Sequence, residues 1–463
     1  MKTMLKLAAT TMLATLALAA PAQAKETPPP AAAPKPFTLP QLTDFTLPNG
    51  MKVTLAQHGN VPKVTILATI RTGNIDDGGN VWLADLTGGV MQKGAGGKDA
   101  SQLAELAAGM GGSLSLSTGV DSSSAVIDVL ADSAPAAIGL LADLLQRPDF
   151  KPEELEKVRA DMLRNLAIAR STPGSQAAEA FAAALYPGHP YGMVFPTAAQ
   201  LQGYTLDEVK AFHAANFGAA RSHLYVVGRF DQATMRVAIE KAFGGWAAGN
   251  APTQLPAPAA PPAKVTLIDR TGAPQSVVLI GRPVAKPGEA IDIKASSTLL
   301  GGYFSSRITR NIREDKGYTY SPRASLSEQV QGASWTEEAA ITSEATGPAI
   351  TEIFKEIRRM QDSQPTPAEV QGIKNYMNGN FVLGLSSRNG LAGSLASLDV
   401  LGLGANYLNT YVGKVSALTA ADFEAAAKRE LGVDGMNVVI VGPLDSVRPQ
   451  LATVPEIAAK LPK

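Results

Sequence analysis

Gly301-Gly302-Tyr303-Phe304-Ser305-Ser306-Arg307 is followed, after a gap of four residues, by Ile312-Arg313-Glu314-Asp315-Lys316-Gly317-Tyr318-Thr319-Tyr320. The pattern joins a glycine pair, an aromatic, a serine pair, and an Arg and a Tyr seven positions apart. A helix is expected from about Phe304, with Arg313 near its end, where a cation suits the negative pole of the helix dipole. Gly317 supplies a sharp turn from that helix into a following strand. With no function assumed, Arg313 answers the dipole and Tyr320 is an ordinary strand aromatic.

Outward from this stretch, the chain repeats itself at a spacing of about 214 residues. Leu224-Tyr225-Val226-Val227-Gly228-Arg229-Phe230-Asp231 matches Val438-Val439-Ile440-Val441-Gly442-Pro443-Leu444-Asp445. Thr205 to Phe217 matches Thr419 to Leu431, and Pro152-Glu153-Glu154-Leu155 matches Pro367-Ala368-Glu369-Val370 one residue out of register. Between the copies, residues 251–263 are rich in Pro and Ala and read as a linker. Each copy mixes the two periodicities. Lys52 to Leu55 and Lys63 to Arg71 are β-branched and read as strands, as do Leu114 to Leu116 and Ser124 to Leu130. Asp99 caps a helix that ends at Gly111-Gly112; Ala134 to Gln146 and Pro152 to Ala169 are further helices. Thr366-Pro367-Ala368-Glu369 is a capping box with Pro at the first helical position. The fold expected is α+β: two structurally similar halves, residues 40–250 and 264–463, each a β-sheet with helices packed on one face.

At 463 residues and 45% apolar composition the chain is long enough for sizeable cores. Lys plus Arg and Asp plus Glu both number 41, so charge gives no case for nucleic acid. Lys2 and Lys6, the apolar run Leu7 to Ala20 and Ala22-Gln23-Ala24 read as a secretory signal peptide over residues 1–24. Residues 25–39 follow as a Pro/Ala-rich tether. Export across an inner membrane to a bacterial periplasm is expected, with no stable membrane insertion. The absence of cysteine excludes disulfides and thiolate metal sites.

The stretch at 301–320 resembles the second half of M16 (pitrilysin/insulinase) zinc peptidases. Phe45-Thr46-Leu47-Pro48-Asn49-Gly50-Met51-Lys52-Val53 is similar to that family's opening strand and turn. The resemblance covers essentially the whole mature chain. It implies an M16-like fold and a substrate-holding role for Arg313 and Tyr320, donating to the scissile carbonyl or its developing oxyanion. Such donors are worth roughly 2.7–4 kcal/mol apiece in comparable hydrolases. The segment Gly112, Ser113, Leu114, Ser115 resembles the family's substrate-aligning strand, which pairs with an extended peptide through main-chain hydrogen bonds. An ordinary edge strand, softened by serine, accounts for it equally well.

The zinc chemistry of that family needs H-x-x-E-H on one helix face and a distal Glu. Here the first motif reads Asp85-Leu86-Thr87-Gly88-Gly89, and Arg164 or Asn165 stands at the distal position. Asp85 near a helix start reads as a cap or a solvated residue. The four histidines, His58, His189, His213 and His223, have no paired spacing. His189 lies in a loop, Gly188-His189-Pro190-Tyr191-Gly192, either as a contact to substrate or to the other half, or as a simple turn. No cofactor is expected in this chain, and zinc is expected in a partner. The resemblance thus implies a non-catalytic, substrate-holding subunit of a heterodimeric secreted peptidase. Its expected partners are an H-x-x-E-H-bearing M16 subunit and a peptide substrate. A binding or scaffold protein with no part in proteolysis is the alternative.

Overall fold

Two β-sheets of one topology organise the chain. The computed structural model describes residues 37–256, 258 and 262–462. The signal peptide with its Ala22-Gln23-Ala24 site, the tether to residue 36, and linker residues 257 and 259–261 lie outside the described residues. The first sheet comprises β1 (Leu42–Thr46), β2 (Lys52–Gln57), β3 (Lys63–Ile70), β4 (Leu114–Thr118), β5 (Ser123–Leu130) and β6 (Ser222–Gly228). The second comprises β7 (Val265–Asp269), β8 (Gln275–Val284), β9 (Arg323–Gln329), β10 (Gly332–Thr342) and β11 (Asn437–Gly442).

The strand orders are β1-β2-β6-β3-β5-β4 and β7-β11-β8-β10-β9. Apart from the extra edge strand β1, the two run in step. In each, the first strand of the shared set pairs in parallel with the last in sequence, β2 with β6 and β7 with β11. The remaining pairings are antiparallel. The β-branched run of β3, Lys-Val-Thr-Ile-Leu-Ala-Thr-Ile, is buried along almost its whole length. A strand buried on both faces carries apolar residues on both, and in this one only the buried Thr65 and Thr69 interrupt them after Lys63.

Five helices matter for the site: α1 (Leu83–Met91), α2 (Pro152–Ser171), α3 (Pro173–Leu185), α4 (Pro367–Leu385) and α5 (Arg388–Val400). Each half covers one face of its sheet with its own helices, and the other face takes a helix from the opposite half. Helix α3 lies on β8 and β11 of the second sheet, while α5 lies on β3 and β6 of the first. Gly281 in β8 makes room for this exchange. A Cβ there would stand 2.9 Å from the Phe181 ring of α3 and 2.2 Å from the Trp335 carbonyl oxygen. The half-buried pair Arg388–Asp128 (3.0 Å) fixes one end of α5 and Asp399–His223 (3.3 Å) the other.

The helix expected from Phe304 begins later, at Arg307. Residues Tyr303 to Ser306 form an irregular connection between two π-helical segments, Thr298–Gly302 and Thr309–Asp315. Such wide turns are rare and gather at functional sites. Gly317 ends the second one at φ +65°, with its N–H on the Arg313 carbonyl (3.1 Å) and the Tyr318 N–H on that of Ile312 (2.8 Å).

Candidate functional site

At the place of the zinc motif, packing replaces coordination. Gly88 and Gly89 fall on faces of α1 that neighbouring side chains approach so closely that any added Cβ would force them to shift. A Cβ at 88 would stand 2.7 Å from Thr118 Oγ1 of β4, and one at 89 would stand 2.8 Å from Val158 Cγ1 of α2. Asp85 is neither a cap nor a solvated residue. It accepts from Asn74 Nδ2 (2.6 Å), which also donates to Asp77 (3.0 Å). Asp77 is the residue that caps α1, taking the backbone N–H groups of Trp82 (2.9 Å) and Ala84 (2.8 Å). Burial raises the Asp77 pKa to about 7, and burial raises that of Asp85 as well. At the distal position Arg164 and Asn165 face solvent, and Arg164 pairs with Asp161. The residues at these positions do not fit a zinc ion. Among the described residues no group of three or more His, Asp or Glu is arranged to hold a metal.

The histidines instead lie at or near the junction of the halves, with one exception. His58 Nε2 is 3.4 Å from the Ser386 carbonyl, and His189 Nε2 is 3.2 Å from Gln331 Oε1. His223 joins Asp399, while His213 stays within the first half, on the Leu145 carbonyl (2.9 Å).

Arg313 and Tyr320 come together. The Arg313 Cζ lies 4.8 Å from the Tyr320 ring centroid and 4.4 Å from that of Phe304, so the guanidinium is held by two cation–π contacts. Tyr320 is 77% exposed and lies just before β9, not within a strand; Phe304 is 64% exposed. Both open onto a cavity of about 500 Å³ whose walls also include Gly301, Tyr303, Arg323 and Tyr376. Sequence reasoning missed Phe304, Arg323 and Tyr376. Phe304 lay inside the quoted motif and carried a signal; Tyr376, on α4, carried none. A second hollow of about 330 Å³ shares Gly302 and Arg323 with the first and continues to Lys294 and Glu328. Together they form a groove along β9, the edge strand of the second sheet.

Behind Gly301 lies Glu337 of β10. A Cβ at 301 would stand 2.6 Å from its Oε2. The side chain is fully buried, and neither oxygen completes a hydrogen bond among the described residues. Burial pushes its pKa well above the carboxylate range, and the nearby Arg323 N–H offsets this only in part.

The strand Gly112, Ser113, Leu114, Ser115 sits at the edge of the first sheet, where Leu114 opens β4. Ser113 and Ser115 are exposed, whereas Gly112 is tucked so close to β5 that a Cβ would meet the Asp128 carbonyl. None of the four lines the Arg313 cavity. On the outer side of β4 the Leu116 N–H is already taken by Gln92 Oε1 (3.1 Å), whose amide in turn donates to the Gly88 carbonyl (3.2 Å). Among the described residues no helix is long and apolar enough to cross a membrane.

This architecture has known counterparts. Residues 52–194 match the family model of insulinase (peptidase family M16), and residues 203–377 match that of the peptidase M16 inactive domain. An uncharacterized zinc protease of Mycobacterium leprae is 24% identical over 74% of this chain and 79% of its own length. One from Bacillus subtilis is 23% identical over 74% and 85%. Among solved structures, a peptidase M16 inactive domain from Pseudomonas fluorescens superposes with a TM-score of 0.82 at 21% identity, over 87% of this chain and 98% of that one. A protease from Helicobacter pylori gives 0.81 at 19%, over 88% and 100%. With both family models matching in order along one chain, over residues 52–194 and 203–377, this protein belongs to the M16 peptidase family.

Proposed function

We propose that this chain is the substrate-holding, non-catalytic subunit of a two-chain M16 peptidase, exported to the periplasm, whose partner carries H-x-x-E-H and the zinc. The observation that carries this reading is the asymmetry between the halves. In the first, the motif helix is closed by Gly88 and Gly89 against Thr118 and Val158. In the second, Arg313 and the exposed Tyr320 converge on an open cavity. The partner supplies the metal chemistry. This chain's part is to hold an extended peptide in the groove along β9 and to present a guanidinium and a phenol to a peptide carbonyl. Donors fixed in advance by Phe304 and by the Gly317 turn need little reorganisation when charge develops on that oxygen. A scaffold without proteolytic work has no need of a solvent-facing Arg–Tyr pair.

The test is reconstitution. Mixed with an H-x-x-E-H partner, this chain is expected to raise peptide hydrolysis strongly. Arg313→Ala or Tyr320→Phe is expected to lower turnover by about 10²-fold while assembly persists. Assembled variants with wild-type turnover would leave the scaffold reading in its place.

A further inference from the structure

We propose that the Arg313 cavity binds a peptide carboxylate, from a free C-terminus or an Asp or Glu side chain, with an apolar or aromatic side chain beside it; this rests on the reading of the cavity as a peptide-holding site. The first argument is charge. Arg313 and Arg323 both line the cavity, and no Asp or Glu does. Arg310 adds positive charge beside Tyr303. Elsewhere the chain pairs its buried arginines: Arg307 with Glu369 (2.8 Å) and Arg221 with Asp76 (3.0 Å). Arg313 has no such partner among the described residues; its contacts are with rings. Glu337, packed behind Gly301, is fully buried and does not line the cavity.

The second argument is shape. Phe304 and Tyr320 fix the guanidinium through their π-faces and consume none of its N–H donors. A held guanidinium with an unused planar fork matches a carboxylate through two parallel hydrogen bonds, and its five N–H donors leave others free to reach a peptide carbonyl. Around it, Tyr303 and Tyr376 pack 5.2 Å apart, and Phe304 projects into solvent. These rings suit an apolar or aromatic side chain next to the carboxylate.

The experiment uses the whole chain without its partner. Three dansylated hexapeptides of one Gly/Ala sequence with a single Phe are titrated: free acid at the C-terminus, C-terminal amide, and amide with one Glu beside the Phe. The free acid or the Glu peptide is expected to bind at least about tenfold more tightly than the plain amide, in line with hydrogen bonds to charged groups. Whichever gains identifies the source of the carboxylate. Arg313→Lys, which keeps the charge and loses the fork, is expected to remove most of that gain. Equal binding of all three peptides, or binding of none, overturns the carboxylate assignment. Turnover of the plain amide by the reconstituted pair reports separately on the substrate-holding role. If Arg313→Ala still lowers that turnover while no acid preference exists, only the carboxylate assignment falls.

Discussion

At positions 88 and 89 the lack of a Cβ lets neighbouring elements pack onto α1. Thr118 and Val158 stand where a side chain at these positions would begin. The carboxylates that remain nearby serve the helix itself. Asp77 caps α1 from a buried site, and burial raises its pKa from 3.8 to about 7. An acid whose pKa is higher in the folded state than in the unfolded one favours folding when protonated. Its contribution is complete below about pH 4 and lost as pH climbs toward 7. Asp77→Asn is therefore expected to flatten the fall in Tm between about pH 4 and 7, measured by thermal melts across that range. An unchanged slope would clear Asp77 of this role.

Among the elements, α4 and the motif stretch at 301–320 depend on each other. Thr366 and Glu369 form the capping box legible in the sequence, with the Thr366 N–H on Glu369 Oε2 (2.8 Å) and the Glu369 N–H on Thr366 Oγ1 (3.3 Å). The same carboxylate takes Arg307 bidentately, through Nε (2.8 Å) and Nη2 (3.1 Å). Burial raises the Glu369 pKa, but Arg307 and Thr366 outweigh it and bring it to about 2. Here the sign is opposite to that of Asp77. The stabilisation is present above the ordinary carboxylate range and is lost as pH falls from about 4.5 toward 2. Removing one member of such a buried pair costs about 3 kcal/mol. Arg307→Ala is expected to lose roughly that much in denaturant unfolding at pH 7, and much less at about pH 2. Because Arg307 opens the helical segment that carries Arg313, the same change is expected to loosen the cavity.

Across the whole molecule, the exchange of α3 and α5 makes each sheet depend on the opposite half. Residues Ala56, Leu67, Tyr225 and Val227 of the first sheet belong to the same apolar cluster as Ile350, Leu391 and Leu395 of the second half. Apart, each half would leave a strand-rich apolar face in water, at about 25 cal/mol for every Å². Residues 37–250 and 264–462 produced separately are expected to aggregate, and produced together to form a one-to-one complex. Gel filtration distinguishes these outcomes, and two soluble monomers with cooperative melts would contradict the expectation.

Local signals carried much of this. The Asp99 cap, the capping box at Thr366, the β-branched strands and the turn at Gly317 are all written in neighbouring residues, because hydrogen bonding and side-chain periodicity act over a few positions. The loss of zinc ligands was equally legible, since the motif lies on one helix. The start of the helix at Arg307 and the π-helical turns were not, because register within a turn yields to packing. Nor was the cavity, whose wall brings Tyr376 of α4 to Phe304 and Arg313 across a separation no periodicity spans. The fit of Gly88 and Gly89 against Thr118 and Val158, the bond from Gln92 to the β4 edge, and the buried Glu337 behind Gly301 were likewise settled only by the tertiary structure. Each depends on distances between elements far apart in the chain, and those distances are set by the packing of both sheets at once.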